Sequence, residues 1–267
     1  MTDPEIFSRL YRLLGEGRCA VLCTIVGKRG SGPREVGAKM LVTPEGETFG
    51  TIGGGGMERR LVEEALGALR DGRPRTLTFA LGVEPRGGAV AVDSKCGGEV
   101  EILLDVIKPD PRLIVVGSGH IGKPLAELAS RAGFEIIVID DAETATSERF
   151  PMATGILSGP FEEELERVEV RPLDFVAIVH GETGHELAAL RSMIPRKPAY
   201  IGLLGSRHKA AEHRRHLRAE GFSGEEVDAV RAPIGLDIGA ETPEEIAVSI
   251  VAELIRARRR GPPRTAS

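Results

Sequence analysis

Four consecutive glycines, Gly53, Gly54, Gly55 and Gly56, stand between a strand-like run and an amphipathic helix in GTIGGGGMERRL, residues 50–61. Glycine reaches positive φ and carries no Cβ, so successive N–H groups can converge on one anion. The helix N-terminus that follows adds a partial positive charge. Upstream, GSGPREVGAK (30–39) brings Arg34 and Lys39 close in sequence. A guanidinium can clamp a phosphate through two hydrogen bonds, and an ammonium adds a point charge. A third candidate is Cys96 with Gly97 and Gly98, in SKCGG (94–98). A thiolate in such a loop could ligate a soft metal or carry a persulfide, and Lys95 would favour the thiolate. Each feature also has a plainer reading: close packing for the glycines, exposed charge for the bases, an inert small side chain for the cysteine. Cys19 and Cys23 fall on one face of a single predicted strand and read as core.

A second constellation lies midway. A buried strand, Leu113 to Val116, runs into Gly117-x-Gly119-x-x-Gly122, then an amphipathic helix, then a second buried strand, Ile136 to Ile139, ending at Asp140 and Asp141. Strand, glycine turn, helix, strand and acid arrive in the order of a dinucleotide-binding βαβ unit, with His120 inside the turn. Asp140 is placed to accept hydrogen bonds from a ribose 2′-hydroxyl, which favours NAD or another adenine nucleotide over NADP. The other reading is a Rossmann scaffold that keeps the turn for packing and binds something else. His180 follows the strand 175–179 at its C-terminal end, where ligands of doubly wound sheets collect, whereas His185 reads as helix surface. Ser206 and Arg207 after Gly205 look like a grip for a phosphate or carboxylate, with Asp237 able to face it; ordinary turn chemistry is the alternative.

The elements that must position these residues can be read from period and punctuation. The first half gives a helix over 5–15, a strand over 19–26, a hairpin over 39–43 and 47–52, a helix over 57–70, and strands over 75–81, 89–93 and 99–107. Met57, Leu61, Val62, Ala65, Leu66 and Leu69 share a face of the second helix. Lys108-Pro-Asp-Pro111 then breaks the chain. The second half alternates strands over 153–157, 175–179 and 200–204 with helices over 162–168, 185–193, 209–220 and 243–258. The expected fold class is α/β: a mixed α+β domain over 1–107, a linker at 108–111, a Rossmann-like doubly wound parallel sheet over 112–258, and a disordered basic tail over 259–267. With 35 basic and 40 acidic residues, net −5, nothing in the interior concentrates a nucleic-acid footprint. No apolar run approaches a membrane span, and three cysteines with no signal segment point to a soluble cytoplasmic protein.

Taken together, GSGPREVGAKMLV, GTIGGGGME, SKCGGEVEILL, VVGSGHIGKPLAELASRAGFEIIVIDD, YIGLLGSRHK and PIGLDIGAETPEEIAVSIVAEL resemble the XdhC/CoxI family, accessory factors for xanthine and carbon monoxide dehydrogenases. The resemblance runs from about residue 8 to 258. It implies an XdhC/CoxI domain followed by a Rossmann domain. The implied role is binding the molybdenum cofactor, supporting its sulfuration and delivering it to a molybdenum hydroxylase. The partners it implies are that hydroxylase, a cysteine desulfurase and a second copy in a homodimer. On this reading Gly53 to Gly56, Glu58, Arg34, Lys39 and Cys96 to Gly98 hold molybdopterin near the domain interface, with Cys96 as the molybdenum contact. Gly117, Gly119, His120, Gly122 and Asp140 take a nucleotide, and His180, Gly205, Ser206, Arg207 and Asp237 contribute to the same region. Gly56 stands where some relatives carry a cysteine, and the segment His180 to Glu186 lacks the aspartate that accompanies the histidine in relatives. Two further readings stand beside this one: an NAD-dependent oxidoreductase working at His180, and a nucleotide-sensing regulatory module.

Overall fold

The structure is a computed structural model that describes residues 1–260 apart from Arg86, Ser94, Lys95 and Ala142. The chain divides into two compact units, Met1–Pro109 and Asp110–Ser267.

In the first unit, helix α1 (Asp3–Gly15) is followed by strands β1 (Ala20–Gly30), β2 (Lys39–Val42) and β3 (Thr48–Gly50), helix α2 (Gly55–Asp71), and strands β4 (Arg75–Leu81), β5 (Val90–Val92) and β6 (Gly98–Ile107). The six strands pair in the order β3-β2-β1-β6-β4-β5, antiparallel except for β4 with β5. Apolar alternation decides which face each strand buries. Val21, Cys23 and Ile25 of β1 and Val100, Ile102 and Leu104 of β6 meet Met57, Leu61 and Ala65 of α2. On the opposite face Ile6, Leu10 and Leu13, one stripe of α1, cover Ala20 and Leu41. Truncating one fully buried residue of this set, such as Leu61 to Ala, costs roughly 2–5 kcal/mol. Strand β1 runs four residues beyond its expected end at 26, because after a bulge between Ile25 and Gly27 it resumes pairing with β6 as far as Gly30 against Gly98.

The second unit alternates strands and helices: β7 (Arg112–Val116), α3 (Gly122–Arg131), β8 (Glu135–Asp140), β9 (Ala153–Ser158), α4 (Phe161–Arg167), β10 (Phe175–Ile178), α5 (Thr183–Met193), β11 (Tyr200–Leu203), α6 (Arg207–Ala219), α7 (Gly224–Asp228) and α8 (Pro243–Arg260). All five strands are parallel, in the order β11-β10-β7-β8-β9. The chain therefore builds outward from β7 on one side, then crosses to build outward from it on the other. That is the doubly wound order, and it creates a crevice between the C-terminal ends of β7 and β10. Helices α3 and α8 cover one face of the sheet through Leu125, Ala129, Ile250 and Leu254; α4, α5 and α6 cover the other through Leu165, Leu190 and Leu217. Strands β7 and β10 are buried throughout, so they read as continuous apolar runs rather than alternating ones. At the opposite end of these strands Arg112 donates to both oxygens of buried Asp174, at 3.1 and 2.6 Å.

Three further features depart from the sequence-based expectation. Helix α7 and a 3₁₀ turn at Ile194–Arg196 were not expected, since neither spans enough residues to show a period. Helix α8 continues to Arg260, two residues into the expected disordered tail. The remainder of that tail, residues 261–267, lies outside the described residues.

Candidate functional sites

In the first unit the three candidate segments gather at one end of the sheet. Gly53, at φ 137°, lies so close to Pro33 that any Cβ there would collide with the proline ring, which seats the 30–35 loop on the glycine run. A Cβ at Gly98 would come 2.6 Å from the Arg29 carbonyl oxygen and would also strike Ser31, so the 96–98 loop is pressed against the end of β1. A Cβ at Gly56 would sit 3.6 Å from Val92, an ordinary contact that leaves room for a small side chain. Nothing lies within 4 Å of where a Cβ at Gly54 or Gly55 would be, so the backbone there faces open space. Arg34 is exposed, as are Gly55 and Gly56, and Cys96 is half-buried. Ser94 and Lys95, the latter expected to favour the Cys96 thiolate, lie outside the described residues. A groove of about 810 Å³ follows the same end of the sheet, lined by Lys28, Arg29, Gly98, Glu99, Glu101 and Glu84 among others.

Two members of this set do something else as well. Lys39 directs its ammonium to Asp3 of α1 and to the Gly37 carbonyl, each at 2.8 Å, so it is an ion-pair partner of α1 rather than a charge turned on the glycines. Glu58 reaches back from the first turn of α2 to fill the loop itself. Its Oε1 accepts from the Thr51 hydroxyl at 2.6 Å and from the backbone N–H groups of Ile52 and Gly54 at 3.0 and 2.9 Å. Burial pushes this carboxyl up, but the bonds from Thr51, Gly54, Ile52 and Gly53 outweigh it and hold the group below the usual carboxylate value of 4.5. Part of the anion-binding capacity of the glycine run is thus met from within the chain. The first-turn N–H groups at Gly55 and Gly56 have no intrahelical acceptor, and both residues are exposed. Cys23 is fully buried and its thiol is pushed up to about 12 by burial, as suits a core position.

In the second unit the glycine turn and His180 meet at the crevice between β7 and β10. A Cβ at Gly117 (φ 115°) would sit 2.6 Å from His180 Cα, and one at Gly122 would overlap the Gly117 carbonyl, so both glycines are needed for close approach of backbone to backbone. His120 is exposed at the rim of the turn. Asp140 is buried and directed at the turn: its Oδ2 accepts from the Ser118 N–H at 2.5 Å and the Ser118 hydroxyl at 2.6 Å, and that hydroxyl also meets Thr144 at 2.7 Å. Its Oδ1 is 3.4 Å from His180 Nε2.

His185, expected on the helix surface, instead stacks on His180 with ring centroids 4.3 Å apart and planes 11° from parallel. Its Nε2 is 3.2 Å from Asp141 Oδ2 and its Nδ1 is 3.2 Å from Glu182 Oε2; His180 Nε2 is 3.8 Å from Asp141 Oδ1. Phe161 meets both imidazoles edge to face, at 5.3 and 4.5 Å. The five-residue step from His180 through Gly181 to His185, at the C-terminal end of a parallel strand, was the signal available in the sequence. The carboxylate partner, Asp141, lies just past β8; the sequence marked it as the end of the βαβ unit and gave no sign that it would meet the histidines. Behind the histidines lies a further group that the sequence did not announce. Fully buried Glu186 has Lys209 Nζ 2.8 Å from Oε1 and 2.7 Å from Oε2, and His213 Nε2 3.0 Å from Oε2. Lys209 also donates to the Gly181 carbonyl at 3.0 Å, which ties α6 to the loop that carries His180.

The expected grip after β11 resolves into separate parts. Ser206 caps α6 by accepting from the Lys209 N–H at 3.2 Å and Gly205 provides the turn; Arg207 is exposed at the start of α6 and Asp237 is exposed in the loop before α8, and among the described residues no ion pair or hydrogen bond joins them. That loop is held instead by buried Glu253, which accepts from the Tyr200 hydroxyl at 3.0 Å and the Gly235 N–H at 2.6 Å. Burial and the neighbouring Glu253 charge raise the Tyr200 hydroxyl far above its usual range.

The family described as "XdhC Rossmann domain" matches residues 113–254, and that described as "XdhC and CoxI family" matches residues 13–80. An Escherichia coli protein described as uncharacterized protein YqeB is 38% identical over 260 residues, covering 97% of this chain and 47% of its own length. A Bacillus subtilis protein described as a probable xanthine dehydrogenase subunit is 38% identical over 162 residues, covering 60% of this chain and 46% of its own length. The chain thus spans about half the length of these two relatives. The molybdenum cofactor insertion chaperone PaoD of Escherichia coli is 24% identical over 291 aligned positions, covering 92% of this chain and 85% of PaoD. A crystal structure described as a xanthine dehydrogenase from Bacillus halodurans superposes with a TM-score of 0.51 at 26% identity, covering 100% of this chain and 98% of that one. No helix among the described residues is long and apolar enough to cross a membrane.

Proposed function

The chain belongs to the XdhC and CoxI family, and from that premise we propose that it is an accessory factor that holds the molybdenum cofactor as cargo on its way into a molybdenum hydroxylase. The observation that carries this reading is the gathering of the Arg34 loop, the glycine run and the Cys96 loop at one end of a single sheet. Molybdopterin combines a phosphate, a polar pterin and a sulfur-bound metal. The first-turn N–H groups of α2 with Arg34 suit the phosphate, and Cys96 is the soft donor. Glu58 leaves the phosphate only the outer amides, so its carboxylate orders the loop without occupying the open side. Sulfur exchange on the cargo belongs to a cysteine desulfurase partner; the chain's own residues bind, orient and shield.

The NAD oxidoreductase reading finds less support. One oxygen of the carboxylate that should take a ribose hydroxyl is engaged by Ser118, and a hydride-transfer site would need a substrate pocket with a proton-transfer pair beside it. The deciding experiment is anaerobic incubation of the purified protein with molybdenum cofactor, followed by desalting and assay of molybdenum and pterin. Equimolar retention by the wild type, with loss in Arg34→Ala and Cys96→Ala, is the expected result. A wild type that retains neither while binding NAD tightly would end this proposal.

A further inference from the structure

We propose that His180, His185 and Asp141 form a binding site for one divalent transition-metal ion at the C-terminal end of β10. The site lies wholly within the second unit and stands whether or not the cargo reading holds. One ligand atom from each residue lies within 4.8 Å of the others, a small contraction away from a common coordination shell. Two imidazoles and a carboxylate are borderline donors of the kind that take zinc, cobalt, nickel or manganese, and three protein ligands leave coordination positions open for a further group.

Charge and hydrogen bonding point the same way. Asp140, Asp141 and Glu182 surround the two imidazoles, and neither Asp141 nor Glu182 makes an ion pair with a lysine or arginine among the described residues. His185 presents each of its nitrogens to a carboxylate at 3.2 Å. The Nε2–Asp141 contact has hydrogen-bond geometry, with roles set by the tautomer; a ring protonated at Nδ1, on the Glu182 side, turns its Nε2 lone pair to the same point as the Asp141 carboxylate, as two ligands of one ion do. A carboxylate on the far nitrogen of a histidine is the usual support of a metal-ligating imidazole. His180 is 9% exposed and turns its Nε2 toward the Asp140 and Asp141 carboxylates, at 3.4 and 3.8 Å, while its Nδ1 has no hydrogen-bond partner among the described residues. Phe161 closes one side of both rings against water. The N-terminus of α5 opposes a cation here, and the three carboxylates outweigh it. Asp140 Oδ1 lies 3.4 Å from His180 Nε2 while Oδ2 stays on Ser118, so one of the ligand histidines touches the carboxylate that holds the glycine turn.

The test uses full-length protein stripped with a chelator, titrated with Co²⁺ in the visible and with Zn²⁺ by calorimetry. We expect one ion bound per chain, a d–d spectrum of low coordination number that Zn²⁺ abolishes, and affinity about tenfold or more weaker in each of His185→Gln and Asp141→Asn. Both side chains are partly exposed, so metal-free circular dichroism and Tm should be unchanged in at least one variant, which then decides. Absence of a Co²⁺ spectrum in the wild type, or a folded variant that binds as tightly as the wild type, would overturn the assignment.

Discussion

Glu58 shows how one side chain reshapes the meaning of a glycine run. A GGGG stretch read alone offers every amide to a ligand, yet one carboxylate oxygen, reaching back from the first turn of α2, takes two backbone N–H groups and a hydroxyl. These bonds lie at a half-buried position, so Glu58→Gln should cost about 1–2 kcal/mol at neutral pH. The folded-state pKa is lowered, so this contribution is present above the ordinary carboxylate value of 4.5 and is lost as pH falls through the lower folded-state value. Denaturation of wild type and Glu58→Gln should therefore differ at pH 7 and converge in acid; a gap that persists in acid would mean the carboxylate charge is not what holds the loop. Cysteine chemistry also separates by position. Because burial pushes the Cys23 thiol up to about 12, that residue should resist alkylation at pH 8 in the native protein and react only after unfolding. Peptide mapping by mass spectrometry reads this directly.

Among the elements, the contact between the β7 turn and the end of β10 governs the second unit. Gly117 must lack a Cβ because His180 backbone occupies that space, so Gly117→Ala should cost at least about 2 kcal/mol through strain and displaced backbone. Chemical denaturation measures it, and a neutral result would show that the two turns can part without cost. At the other end of the same strands, the bidentate Arg112–Asp174 pair joins β7 to the turn before β10. Asp174→Ala leaves a guanidinium buried with only the Glu169 carbonyl, at 2.6 Å, to face, and a loss of about 3–5 kcal/mol follows. Replacing both residues by apolar ones of similar volume should recover much of that loss, which distinguishes an unpaired buried charge from a packing defect.

For the molecule as a whole, each unit has its own cores: two clusters pack around the first sheet and two around the second. Residues 110–260 expressed alone should therefore unfold in one cooperative transition with the far-ultraviolet signature of an α/β fold, and a non-cooperative melt would show that the sheet depends on the first half. Much of this organisation was legible beforehand. Periods of 3.6 and 2, glycine and proline punctuation, and the strand-turn-helix-strand-acid order of 113–141 are local properties, so the amino-acid order alone determined most of the element types, the parallel doubly wound class and the glycine turn at Gly117. The short α7 and the extension of β1 through a bulge were not legible, because the first is too brief to show a period and the second depends on pairing with residues some seventy positions away. The same limit applied to the sites. Nothing near Glu58 in sequence said that its carboxylate would turn back into the loop, and nothing near His185 said that it would meet Asp141. That histidine and that aspartate come together because β10 crosses back to lie beside β7, which in turn pairs with β8. Strand order in a parallel sheet is a non-local choice made by packing, and only the tertiary structure decided it.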